Sequence, residues 1–222
     1  MTFPHARTTG LCLVLILTTG WAAAADLEEA SRGDFSSEGS APTLLVLDYR
    51  VGAGASSGHN VVSGTTGRAA ATGQVDRDYL HVQVPEGYLW SELRLGQQTT
   101  TGGPGGSFIG LSAGPTMAVS PSALSAAGLL GWRHYAAADR GTDILDDMAL
   151  AGGGASGFTR PLAAGDYTLW VQELAVGSFN YHLNIVLTPV PEPGSFALML
   201  CGLAGLGWRK SKRGRSVASP AG

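Results

Sequence analysis

The chain has 222 residues, with 14 Lys+Arg against 17 Asp+Glu, a formal net charge of −3 and 2 cysteines. Six of the basic residues sit at Arg7, Arg209, Lys210, Lys212, Arg213 and Arg215, so residues 26–193 hold eight arginines, no lysine and all 17 acids, a net charge of −9. Such a stretch lacks the clustered cations that neutralise phosphates, and with cysteines only at Cys12 and Cys201 it has no disulfide framework, thiolate metal site or cysteine nucleophile, which excludes a nucleic-acid partner and cysteine chemistry.

His5 and Arg7 form a weakly basic start, residues 11–17 (LCLVLIL) a short apolar core, and the alanines at 22–25 a run of small residues. This order predicts a signal peptide over 1–25, cut by signal peptidase after Ala25 with Ala23 as the other small residue of the site. Residues 26–42 are polar and aperiodic and read as a loose N-terminal arm. Residues 43–189 are long enough for one domain with a core of its own.

Within that domain, residues 44–49 (LLVLDY) predict a strand buried on both faces, and the Gly, Ala, Ser and Thr of 52–73 predict a long surface excursion. Residues 79–84 alternate, with Leu80, Val82 and Val84 inward and Tyr79, His81 and Gln83 outward. A turn at Pro85, Glu86 and Gly87 then leads into 89–95, with Leu89, Leu93 and Leu95 inward and Trp90, Glu92 and Arg94 outward. The two segments predict a hairpin. A glycine-rich loop covers 96–106, a short strand 107–111, and a short helix capped by Thr142 covers 142–150. Residues 167–173 and 180–187 form a second predicted hairpin, with Tyr167, Leu169 and Val171 on one inward face and Tyr181, Leu183, Ile185 and Leu187 on the other. Many short strands and almost no helix predict an all-β fold, a single antiparallel β-sandwich of jelly-roll type.

Asp78, Tyr79, Leu80, Val82 and Val84, then Leu93 and Leu95, then 161–171 (PLAAGDYTLWV) resemble the bacterial pre-peptidase C-terminal domain, which implies a jelly-roll-like sandwich found on secreted proteins. Residues 141–145 (GTDIL), Gly157 and Phe158 are similar to segments of other exported proteins of the class named next.

The tail begins at Val190, Pro191, Glu192 and Pro193, where two alternating prolines forbid helix and leave an extended strip. The apolar run 194–208 follows; at about 1.5 Å per residue it reaches roughly 22 Å, short of a hydrocarbon core of about 30 Å. Arg209, Lys210, Lys212, Arg213 and Arg215 then place a basic stop on the cytoplasmic side, and 216–222 is a short tail. These three parts resemble the PEP-CTERM sorting signal over 190–215. The resemblance implies a transient inner-membrane anchor, cleavage by an exosortase, and delivery to the cell surface or extracellular space.

Catalytic and binding signals are sparse. Residues 54–58 (GASSG) match G-x-S-x-G but lack the strand and helix that a nucleophile elbow needs, and 152–157 (GGGASG) match G-x-G-x-x-G but open no helix. His59, His81, His134 and His182 have no paired spacing for a metal. Asp139, Asp143, Asp146 and Asp147 supply oxygen ligands near a glycine and are the candidate calcium site, against a reading as helix cap and solvated acidic face. Trp90, Trp132, Tyr135 and Trp170 offer a sugar-stacking platform if they share a surface. The expected function is an exported, non-catalytic surface or matrix protein associated with biofilm polysaccharide. The alternatives are a calcium- or polysaccharide-binding module and, behind it, a secreted hydrolase.

Overall fold

Alternating apolar residues form the strands, and the choice of partners for each strand decides the architecture. A computed structural model describes residues 25–48, 58–103, 107–150 and 152–190. In chain order these are β1 (Ala25–Glu28), α1 (Glu29–Arg32), β2 (Thr43–Leu45), β3 (Gly58–Arg68), β4 (Val75–Val84), β5 (Tyr88–Leu95), β6 (Ser107–Ala113), β7 (Gly131–Tyr135), α2 (Leu145–Met148), β8 (Gly165–Gln172) and β9 (Gly177–Pro189). The protein is mostly β, its sheet curled and largely antiparallel, with the path β5-β9-β3-β4-β8-β6-β7.

The curl has a local cause. Strands β3 and β4 pair only at Gly67 with Asp76 and at Arg68 with Val75, next to their connecting turn, and then diverge. One ladder continues as β1-β3-β9-β5 and the other as β2-β4-β8-β6-β7. Val62, Leu93, Leu183 and Ile185 from the first meet Leu80, Val82, Ile109 and Leu169 from the second in one buried cluster. Burying side chains of this size contributes about 1.5–3 kcal/mol each, which holds the two ladders together.

Several expectations are corrected. Residues 26–42 are not a loose arm: β1 pairs in parallel with β3, and Leu27 and Phe35 are buried in the core. Residues 44–49 do not bury both faces, because β2 is a three-residue edge strand and Leu44 and Val46 remain 50% and 66% exposed. The excursion 52–73 instead contains β3, which is the centre of its ladder. Its small residues are required there: a Cβ on Gly64 would lie 2.5 Å from the Tyr181 hydroxyl, and one on Gly67 would lie 2.0 Å from the Gly177 carbonyl oxygen. Low hydrophobicity in β3 therefore reflects close packing against β9.

Neither predicted hairpin forms. The edges of β4 are taken by β2 and β8, so after the turn at Pro85 the chain crosses to pair β5 with β9. Likewise β8 lies between β4 and β6, which sends β9 across to β3 and β5. A bulge at Ser91 shifts the register between Trp90 and Glu92, so Trp90 turns into the core and Leu89 turns away. The inward residues Leu80, Val82, Val84, Leu93, Leu95, Tyr181, Leu183, Ile185 and Leu187 are buried as expected. The helix over 142–150 shrinks to Leu145–Met148, and Asp143, not Thr142, accepts the leading amide, that of Leu145, at 3.0 Å. Strand β7 was not foreseen; its Gly131 fits tightly beneath Met148.

Candidate functional site

The outer face of the second ladder carries a row of aromatic side chains. Tyr79 on β4 pairs in register with Trp170 on β8, Trp170 with Gly110 on β6, and Gly110 with Trp132 on β7. Gly110 leaves a notch between the tryptophans, and the Phe108 ring leans over it. The Phe108 centroid lies 4.8 Å from Trp170 at 64° and 6.1 Å from Trp132 at 24°. His134 meets Phe108 at 5.7 Å and Trp132 at 5.6 Å, both edge-on.

A loop at 119–129 walls this row into a cavity of about 300 Å³ that Phe108, Trp132, His134, Trp170 and Gln172 line from the sheet side. Leu124, in the wall, is wholly exposed. The Trp132 indole donates to the Gly152 carbonyl at 2.9 Å, which fastens the loop end, whereas the buried Trp170 indole N–H has no acceptor. A second cavity of about 370 Å³ shares Phe108, His134 and Gln172 and continues past Glu173 to Leu174. Together they make an apolar groove with amide, imidazole and indole groups at its floor.

The four sequence-selected aromatic residues therefore divide. Trp132 and Trp170 share this surface, while Trp90 and Tyr135 are buried in the main core. The missed members are Phe108, His134 and Gln172, which the alternation along β6, β7 and β8 places on the same outward face.

The sheet ends at the tail. Strand β9 runs to Pro189, which pairs with Tyr88, and the Val190 amide still donates to the Gly87 carbonyl at 2.8 Å. A family model described as the PEP-CTERM protein-sorting motif matches residues 189–213. The chain carries a PEP-CTERM sorting motif. No curated protein and no solved structure matches it. The PEP-CTERM motif marks the chain for export, exosortase processing and membrane-associated sorting to the surface. Among the described residues, the last of these backbone hydrogen bonds is thus made by the residue immediately before Pro191. Pro191, Glu192, Pro193, the apolar run 194–208, Arg209, Lys210, Lys212, Arg213, Arg215 and Ala23 lie outside the described residues, as does most of the G-x-S-x-G match at 54–58. Among the described residues, no helix is long and apolar enough to cross a membrane.

The four aspartates of the candidate calcium site, Asp139, Asp143, Asp146 and Asp147, are engaged by arginines. Arg133 on β7 pairs with Asp139 at 2.6 Å and also with Asp147, while Arg160 pairs with both Asp143 and Asp146. The other Asp139 oxygen accepts the Ala136 amide at 2.8 Å, and Asp143 Oδ1 accepts the amides of Leu93 and Leu145. The four carboxylates are divided between two guanidinium groups and do not converge on a common point. Residues 152–157 form a turn in which the Ala155 amide donates to the Gly152 carbonyl, and no helix follows. His81 contacts Asp166 at 2.8 Å on the exposed side of β4.

A different acidic group does converge. Glu29 from α1, Asp34 from the following coil and Asp78 from β4 each place a carboxylate oxygen within 4.8 Å of the others. Asp78 has no solvent exposure; its Oδ2 accepts the Tyr181 hydroxyl at 2.7 Å and its Oδ1 has no partner. Burial, helped by the charges of Glu29, Asp76 and Asp34, pushes the Asp78 carboxyl up to about 8 against the opposing Tyr181 hydrogen bond. Burial also raises Glu29. The alternation that turns Leu80, Val82 and Val84 inward turns Asp78 inward too, a signal already present in the sequence.

Proposed function

We propose that the mature protein is a non-catalytic component of the extracellular matrix that holds extracellular polysaccharide in the groove beside Phe108, Trp132 and Trp170. The supporting observation is the aromatic row itself. Pyranose rings present apolar C–H faces that stack on indole and phenyl rings, and base-free, uncharged hydroxyls suit an indole N–H and a glutamine amide better than an ion pair. The extension of the cavity past His134 to Leu174 fits a polymer of several rings. On this reading the two ladders are the layers of a β-sandwich, 194–208 is a short membrane helix, and exosortase cuts at the Val190–Pro193 strip.

Two measurements test it. The purified full chain should bind bacterial exopolysaccharides on a glycan array, and Trp132→Ala should lose about fivefold or more in affinity, since one stacked ring contributes on the order of 1 kcal/mol or more. A chain that binds no glycan, or a Trp132→Ala variant that binds equally, overturns the groove assignment. Separately, deleting residues 191–193 should leave the protein uncleaved in the inner membrane; processed protein at the surface would overturn the sorting step.

A further inference from the structure

We propose that Glu29, Asp34 and Asp78 form a divalent-cation site of the calcium class that clamps the N-terminal segment onto the sheet. Three carboxylates whose oxygens lie within 4.8 Å of one another repel when ionised, and either bound protons or a cation between them relieves that repulsion. No arginine pairs with any of them among the described salt bridges, unlike the aspartates beside Arg133 and Arg160. The second observation is Asp78 Oδ1, which is fully buried and has no hydrogen-bond partner. A buried carboxylate oxygen without a partner is costly, and a bound cation removes that cost.

The surrounding geometry is set by other groups and leaves ligand capacity free. Glu29 Oε2 accepts the Thr65 amide at 2.7 Å and the Thr65 hydroxyl at 3.1 Å, and Oε1 accepts the Phe35 amide at 3.1 Å. A carboxylate has about four acceptor positions, so these three donors orient Glu29 and its remaining position is shared with Asp34 across the site. Asp78 is held on its other side by Tyr181. Asp34 is exposed and faces the cavity of about 590 Å³ that it lines with Glu29, Thr65 and His182, which leaves room for solvent to complete a hard-oxygen shell of six to eight ligands. The three ligands come from α1, the coil after it and β4, so a cation here joins the first described residues of the chain to the seam where the two ladders part.

The probe is calcium chloride alone, added to the purified full chain after treatment with a chelator. Isothermal titration should give saturable binding of one calcium with a dissociation constant of about 10⁻⁴–10⁻³ M, the range of extracellular modules. The melting temperature should rise with calcium concentration, because a ligand bound only to the folded state stabilises it by mass action. Asp34 is exposed, so Asp34→Asn should fold normally and lose both the binding heat and the thermal shift. In Asp78→Asn, the amide can still accept from Tyr181, so this variant should melt no lower than wild type without calcium and should not respond to it. Absence of any calcium-dependent heat or shift in wild type overturns the proposal, and so does an undiminished response in Asp34→Asn and Asp78→Asn.

Discussion

The Tyr181 hydroxyl on β9 donates to Asp78 Oδ2 on β4 at 2.7 Å, joining the two ladders through the interior where their direct pairing ends. It is the only donor to Asp78 among the described hydrogen bonds. Tyr181→Phe keeps the ring in the core but leaves both Asp78 oxygens without a partner. The expected loss is about 1–3 kcal/mol, the cost of an unsatisfied buried acceptor, seen as a fall in melting temperature of roughly 2–10 °C. An unchanged melting temperature would show that the hydrogen bond is not made in solution.

The same tyrosine explains a glycine. A Cβ on Gly64 would lie 2.5 Å from the Tyr181 hydroxyl oxygen and 2.9 Å from its ring edge, inside contact distance of a side chain that is itself enclosed. Gly64→Ala should therefore destabilise by roughly 1–3 kcal/mol, the usual cost of overpacking, despite the better strand propensity of alanine. Denaturant unfolding of the two proteins measures it; a stabilised variant would contradict the close packing of β3 on β9.

Glu173 supplies a pH dependence. Burial alone would raise its carboxyl, but the amides of Gly102 and Ala175 and the Ser107 hydroxyl outweigh it and hold the group below its ordinary value of 4.5. Because the folded value is the lower one, its stabilising contribution is present above the unfolded value and is lost as pH falls through the folded one. Wild type should thus lose stability more steeply than Glu173→Gln as pH drops from about 5 to about 3, while at neutral pH the variant should be the less stable. Parallel pH profiles would remove Glu173 as a source of acid sensitivity.

Asp143 separates a structural carboxylate from a ligand. Its Oδ1 accepts from Leu93 at 2.9 Å and Leu145 at 3.0 Å, and its Oδ2 faces Arg160. Asp143→Ala should cost about 2–4 kcal/mol by orphaning two amides and an arginine, whereas Asp143→Asn keeps the Oδ1 acceptor and should cost less than half as much. Equal losses in the two variants would mean that the charge, rather than the acceptor, matters. Neither variant should alter the calcium response assigned to Glu29, Asp34 and Asp78.

What could be read from the sequence follows a physical rule. The inward faces of β4 and β9 were legible because alternation is local: Leu80, Val82 and Val84, or Leu183, Ile185 and Leu187, declare a buried face whatever lies opposite. Trp90 was misplaced because a bulge breaks that rule by one residue, and no residue type at Ser91 announces it. Strand β3 was missed because its glycines answer to Tyr181 and Gly177, residues more than a hundred positions away.

By itself, then, the sequence determined the sorting tail and the β character of the protein. The proline-bearing tetrapeptide at 190–193, the apolar run and the basic cluster are contiguous in the sequence, and the family match at 189–213 needs no fold to be recognised. Tertiary structure alone decided which strands pair. A strand has two edges, and once β2 and β8 fill those of β4, the next strand must cross to the other ladder. The pairing of β1 with β3, beside the short β3–β4 contact, brings Glu29 and Asp34 to Asp78. The pairing of β6 with β7 and β8 likewise brings Phe108 between Trp132 and Trp170. Both sites depend on residues distant in the chain, and only strand pairing makes them neighbours.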